Sequence, residues 1–155
     1  MRLRRKSPNN ATTAGWRSEQ ADLFGFGVLI AAARGADEVA RLAMTVLDDP
    51  DRTFASSALV RLEVLPKALR HHRESEARFY ETFFQSVSAW ASIGDPLAEE
   101  AFLQARNFDL HAMDALHIAA ALSVGAVEFI TTEKAEKPIN KLTAISVRTI
   151  HPISQ

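Results

Sequence analysis

Cysteine is absent from the 155 residues. That excludes a disulfide framework, a thiolate metal site and a thiol nucleophile, and it agrees with a reducing compartment. Long apolar runs are absent too: none approaches the roughly 18 residues of a membrane-spanning helix, so no membrane association is expected. The stretch 1–15 carries basic residues with no apolar segment after them, unlike a secretory signal, and a cytoplasmic protein is the default expectation. Charge of one sign is missing, since 18 Lys and Arg against 19 Asp and Glu leave a net charge of −1. That balance neither suggests nor excludes nucleic-acid binding through a local basic patch. The chain also lacks a Gly-rich phosphate loop, an HExxH zinc motif and a Ser nucleophile motif.

What is there is an ordinary globular composition, 47% hydrophobic and 24% charged, in a chain long enough to bury its own core. Residues 1–20 stand apart as polar, basic and aperiodic, and are read as a flexible or atypical N-terminal extension. Residues 21–155 are read as one domain. Within it, Leu23 to Ile30 is a short apolar run that passes from strand to helix, and Gly35 stops that helix. Asp37 to Leu47 is amphipathic, with Val39, Leu42, Ala43 and Val46 on one face, and Asp49-Pro50-Asp51 is a turn. Thr53 to Ala55 is a strand, and Ser56 and Ser57 can cap a helix running to about His72. A second long helix is expected over Ser75 to Trp90. Another begins at Gly94-Asp95-Pro96, with Asp95 as cap and Pro96 at the first position. Residues 112–124 form an Ala-rich helix ended by Gly125. Val127–Thr132 and Ala144–Ile150 are strands, the last partly exposed, with Ile145 and Val147 facing one way and Ser146 and Arg148 the other. Strands separated by helices predict parallel pairing and an α/β fold, a three-layer α/β/α sandwich around a small, mostly parallel sheet.

Open parallel sheets bind ligands beyond the carboxyl ends of their strands. Three acids fall there. Glu63 lies two turns into the helix after the Thr53 strand, Asp114 lies in the first turn of the Ala-rich helix, and Glu133 follows the VEFITT strand. Each has a plainer reading. Glu63 can pair with Lys67 on a helix surface. Asp114 suits a helix N-terminus, although its apolar neighbours Ala112, Met113, Ala115 and Leu116 suggest burial, and a buried acid needs a partner. Glu133 can pair with Lys134 or Lys137. His117, one turn after Asp114, reads as a packed helix residue. Arg61, Lys67, Arg70, His71, His72, Arg73 and Arg78 make the hairpin of helices locally basic, enough to follow an RNA backbone, but Glu74, Glu76 and Glu81 interleave. Phe79, Tyr80, Phe83, Phe84 and Trp90 read as core or partner-facing anchors.

The stretch DALHIAAA from Asp114, with Gly125-Ala126 and then Phe129-Ile-Thr-Thr-Glu-Lys134, resembles the C-terminal half of a PIN domain, the family of VapC-type toxin ribonucleases. Ser56-Ser-Ala-Leu-Val-Arg-Leu-Glu63 resembles the family's second motif, and Gly27-Val-Leu-Ile-Ala-Ala-Ala33 resembles the residues after its first strand. The resemblance covers about residues 23–150. It implies a metal-dependent endoribonuclease that hydrolyses RNA phosphodiester bonds, the toxin of a type II toxin–antitoxin pair. Glu63, Asp114 and Glu133 would then be catalytic residues that bind Mg²⁺ or Mn²⁺. A homodimer and a cognate antitoxin covering the acidic cleft are implied with it. Hard divalent cations take oxygen ligands, make a water nucleophilic and neutralise charge on phosphate.

One position departs from the pattern. The family's first strand ends in Asp three residues before Val-Leu-Ile; Gly25 stands there. Asp22 is three residues earlier, on the opposite strand face and about 10 Å away, and is not read as a ligand. The residues before it do not supply the usual apolar strand, as though the reading frame had changed upstream of about residue 26. A catalytically impaired PIN fold that binds RNA or antitoxin is therefore the alternative. A phosphatase-like or structure-specific DNA nuclease with a similar acidic cleft is a third reading.

Overall fold

The structure, a computed structural model, describes residues 21–151. The polar stretch 1–20 lies outside them. Five strands, β1 (Ala21–Phe24), β2 (Thr53–Ser57), β3 (Val87–Ala91), β4 (Glu128–Thr131) and β5 (Ser146–Thr149), alternate with six helices. These are α1 (Phe26–Arg34), α2 (Glu38–Leu47), α3 (Ala58–Arg70), α4 (Glu74–Ser86), α5 (Asp95–Phe108) and α6 (Ala112–Ser123). A 3-10 turn at Pro138–Lys141 precedes β5. All strand pairs are parallel, in the order β3-β2-β1-β4-β5.

Side chains that alternate along the strands divide the interior into two layers. Phe24, Phe54 and Ile130 pack against α1 to α4. Leu23, Ala55 and Phe129 pack against α5 and α6. The expected three-layer α/β/α sandwich is therefore the observed fold. In the first layer Phe24, Phe54 and Phe83 form a mutually packed aromatic trio. In the second, small residues let α6 lie close against the sheet: Ala115, Ala119, Ala120 and Ala121 are all buried.

Three sequence expectations need correction. The helix expected over Ser75 to Trp90 stops at Ser86, and Val87–Ala91 is the edge strand β3. Its VSAWA alternates half-buried and exposed residues, the pattern of a strand covered on one face. Asp95 does not cap α5: Gly94 holds that place, and Pro96 sits in the first turn. The first strand does form. It starts at Ala21, two residues ahead of the expected Leu23, and all four of its residues are buried.

That earlier start places Asp22 inside the sheet. Arg52 joins its carboxylate at 2.5 Å and the Glu128 carboxylate at 3.0 Å. Asp22 is second in β1, Glu128 first in β4 and Arg52 just before β2, so the trio clasps the amino edge, away from the expected site. Burial raises the Asp22 pKa, and Arg52 opposes that rise.

Candidate functional site

The strand order reverses direction between β1 and β4, since β2 and β3 lie to one side and β5 to the other. The crevice beyond the carboxyl ends of such a pair is where parallel sheets place ligands. Gly25 ends β1 there. Its N–H donates to the carbonyl oxygen of Ile130 at 2.8 Å, which extends the β1–β4 pairing by one residue. Close by, a Cβ on Gly27 would lie 2.3 Å from Thr132 Oγ1, so α1 starts close against the end of β4 and a side chain there would displace that hydroxyl.

Three elements bring acids toward this crevice. β4 runs into Glu133, whose N–H donates to Thr131 Oγ1 at 3.1 Å. Thr149 of β5 donates its hydroxyl to the Glu133 carbonyl, which holds the loop. Asp114 sits in the first turn of α6, half-buried. Ser57 caps α3 by accepting from the Val60 N–H, and Glu63 follows one and a half turns later, also half-buried.

Electrostatics tie the three together. Burial raises the pKa of Asp114, and the Glu133 and Glu63 charges raise it further, while His117 and His111 pull it down. An acid on a helix N-terminus ordinarily gains from the macrodipole; here burial and like charge prevail. Repulsion of this kind makes a cation welcome.

Glu63 does not pair with Lys67. Its Oε2 meets His117 Nε2 at 2.6 Å across 54 residues of sequence. His117 is only 2% exposed, and its Nδ1 is buried with no hydrogen-bond partner among the described residues. The histidine that reads from sequence as packing is thus also a polar contact of the site. The signal available was the i, i+3 spacing from Asp114, which puts both on one helix face. Glu133 makes no ion pair with Lys134 or Lys137 among the described residues.

No group of three or more His, Asp or Glu side chains among the described residues is close enough to share a metal ion. At the position of the family's first Asp, Gly25 is buried and contributes no oxygen. A Cβ there would find ordinary contacts, 3.5 Å from the Ile130 carbonyl oxygen and from Phe129 Cζ. The donors at hand are all oxygens, which suits a hard cation. Mg²⁺ is commonly held by one or two carboxylates, keeping its waters and reaching substrate phosphate. Asp114 and Glu133 offer two such carboxylates, the Glu133 charge acting on Asp114 and that of Glu63 acting on it less. A hollow of about 540 Å³ lined by Trp90, Ile93, Pro96, Leu97 and Leu122 contains none of the three acids.

The family model described as PIN domain matches residues 27–137, beginning just after Gly25. Among solved structures, a toxin–antitoxin complex from Klebsiella pneumoniae is similar, with a TM-score of 0.66 and 21% identity over 86% of this chain and 100% of that one. VapBC2 from Rickettsia felis, bound to a DNA fragment from its promoter, has a TM-score of 0.63 and 11% identity over 84% and 98%. DNA-bound VapBC from Salmonella typhimurium has 0.62 and 12% over 84% and 98%. No curated protein matches the sequence.

Proposed function

The chain belongs to the PIN domain family, and from that premise we propose that it is a VapC-type endoribonuclease, the toxin of a type II toxin–antitoxin pair. The observation that carries this reading is Asp114, an acid kept half-buried under the charges of Glu133 and Glu63 with no cationic side chain bonded to it among the described residues. PIN domains generally depend on divalent metal ions. Asp114 and Glu133 would hold Mg²⁺ or Mn²⁺ directly, and Glu63 would reach the ion through one of its waters. Bound there, the ion supplies neutralising charge for the phosphate and acidifies a water.

The remaining parts belong to the chain itself. Glu63 has one carboxylate oxygen on His117 and a second available to the ion or to water. Lys67 and Arg70 follow Glu63 along the same face of α3 at helical spacing and are exposed. Glu76, which tempered the basic hairpin in sequence, is turned inward onto Arg34 and Tyr80. The outer face is therefore more basic than its composition suggests, and it fits an RNA backbone approaching the acids. Likeness to toxin–antitoxin complexes supports an antitoxin partner, and family membership supports a homodimer. No described helix is long and apolar enough to cross a membrane.

A second reading is favoured by Gly25, which leaves the crevice one carboxylate short. On that reading the chain is an impaired PIN fold that binds RNA or antitoxin without cutting. RNA cleavage decides between them. Incubation of the unaltered chain, Asp114→Asn and Gly25→Asp with RNA and with single-stranded DNA, in Mn²⁺ or chelator, should show metal-dependent RNA cleavage that Asp114→Asn abolishes. RNA binding without cleavage by the unaltered chain, with cleavage appearing in Gly25→Asp, would establish the impaired module instead.

A further inference from the structure

His117 is the one buried titratable group at the crevice to which the nuclease reading assigns no task. It sits midway along α6 among Ala115, Ile118, Ala119, Ala120 and Ala121, all buried. A histidine in such apolar surroundings is costly unless its polar atoms are satisfied. One atom is: Nε2 lies 2.6 Å from Glu63 Oε2. The other is not: Nδ1 is buried without a partner among the described residues. A helix interior that needed only volume would be served as well by leucine, with no orphaned nitrogen. The unsatisfied atom is a cost borne beside a single specific contact.

That pairing also settles how the contact is made. Glu63 presents a carboxylate oxygen, an acceptor, so Nε2 carries the hydrogen and donates it. The tautomer with hydrogen on Nδ1 would place two acceptors 2.6 Å apart and leave an N–H unpaired.

Resting on the nuclease reading, we propose that His117 is a positioning residue: its Nε2–H fixes the Glu63 carboxylate relative to Asp114 and Glu133, and thereby sets the affinity of the crevice for a divalent cation. Glu63 reaches the crevice from α3 and Asp114 from α6, two helices on opposite faces of the sheet. A free glutamate on α3 would have three rotatable bonds with which to leave. The His117 contact ties it to the helix that carries Asp114, so two of the three acids move as one unit. Partners that orient the groups around a metal are worth about 10–100-fold in metal affinity.

The test is direct Mn²⁺ binding, read as loss of the free-ion electron paramagnetic resonance signal, with no RNA present. His117→Leu keeps the packing and removes the donor; His117→Gln keeps a neutral N–H donor of similar reach. The dissociation constant should rise at least tenfold in His117→Leu and stay within about threefold in His117→Gln. Melting of each metal-free variant confirms folding, and His117→Ala, favoured in a helix, replaces His117→Leu if that variant fails to melt cooperatively. Mn²⁺ bound equally by the donor-less variant and the unaltered chain, or an equal loss in His117→Gln, overturns the positioning role while leaving the metal centre standing. No Mn²⁺ binding by the unaltered chain overturns both.

Discussion

Gly25 and Ile130 are joined by a 2.8 Å hydrogen bond from the glycine N–H to the isoleucine carbonyl. The bond fixes the end of β1 beside the end of β4, three residues before Glu133. A side chain at position 25 would therefore point from the centre of the sheet's carboxyl edge, where the order of strands reverses. The structure has room for one: the first carbon meets nothing closer than 3.5 Å.

Gly25→Asp should accordingly fold and bind Mn²⁺ more tightly. Gly25 is also the N-cap of α1 and offers no side-chain cap; Asp is a preferred residue there, so the substitution need not weaken the helix. Calorimetric titration is expected to show about tenfold tighter binding, ~1.4 kcal/mol. Unchanged affinity would mean that position 25 does not face the ion.

Asp114→Asn should stabilise the metal-free protein near neutral pH. The folded-state pKa of Asp114 lies above its ordinary 3.8, chiefly through burial and then through Glu133. Above the raised value the native state holds a charge it disfavours relative to the unfolded chain. As pH falls through that value the native state takes up the proton first and the penalty is relieved. The melting temperature gain of Asp114→Asn, ~2–4 °C for about 1 kcal/mol in a chain of this size, should shrink as the pH approaches 4. Saturating Mn²⁺ should reverse the order at neutral pH, because only the unaltered chain gains from the ion.

At the amino edge, Arg52 holds both Asp22 and Glu128, and its side chain is only 20% exposed. Arg52→Leu leaves two carboxylates facing each other without a cation. Loss of one partner from such a buried group costs about 3–5 kcal/mol. Urea unfolding should show a lower midpoint with little change in slope, and Asp22→Asn placed in the same chain should recover part of the loss. A midpoint within experimental error of the unaltered chain would show that the clasp contributes nothing.

Gly27→Ala tests the close approach of α1 to β4. The added carbon would lie 2.3 Å from Thr132 Oγ1, so Thr132 must rotate or the helix must shift. Overpacking of this kind costs about 1–3 kcal/mol. The double variant Gly27→Ala, Thr132→Ala removes the obstructing oxygen, and its melting temperature should recover toward that of Thr132→Ala alone.

The layered fold was legible because its periods are strong. Ala-rich α6, the VEFITT strand and the Ser57 cap of α3 each carry a local signal that tertiary packing does not override. Strand β3 was not. Phe79, Tyr80, Phe83 and Phe84 set a helical rhythm that Trp90 continues, and no Gly or Pro falls between Ser75 and Trp90. What makes VSAWA a strand is the β2 edge it pairs with, Ser57 opposite Ala91, which is not a local property. The three acids were visible as candidates from their places after strands and in helix turns. The Glu63–His117 contact was not, since it joins α3 to α6 across 54 residues. Asp22, not read as a ligand from sequence, stands second in β1, and its partner Arg52 lies 30 residues away, where no local pattern announces it.

The most direct test of the central claim is Mn²⁺ titration of the unaltered chain and Asp114→Asn, followed by calorimetry in the absence of RNA. The account predicts saturable binding by the unaltered chain and a loss of at least tenfold in the variant. Equal binding by the two, or none by the unaltered chain, would contradict it.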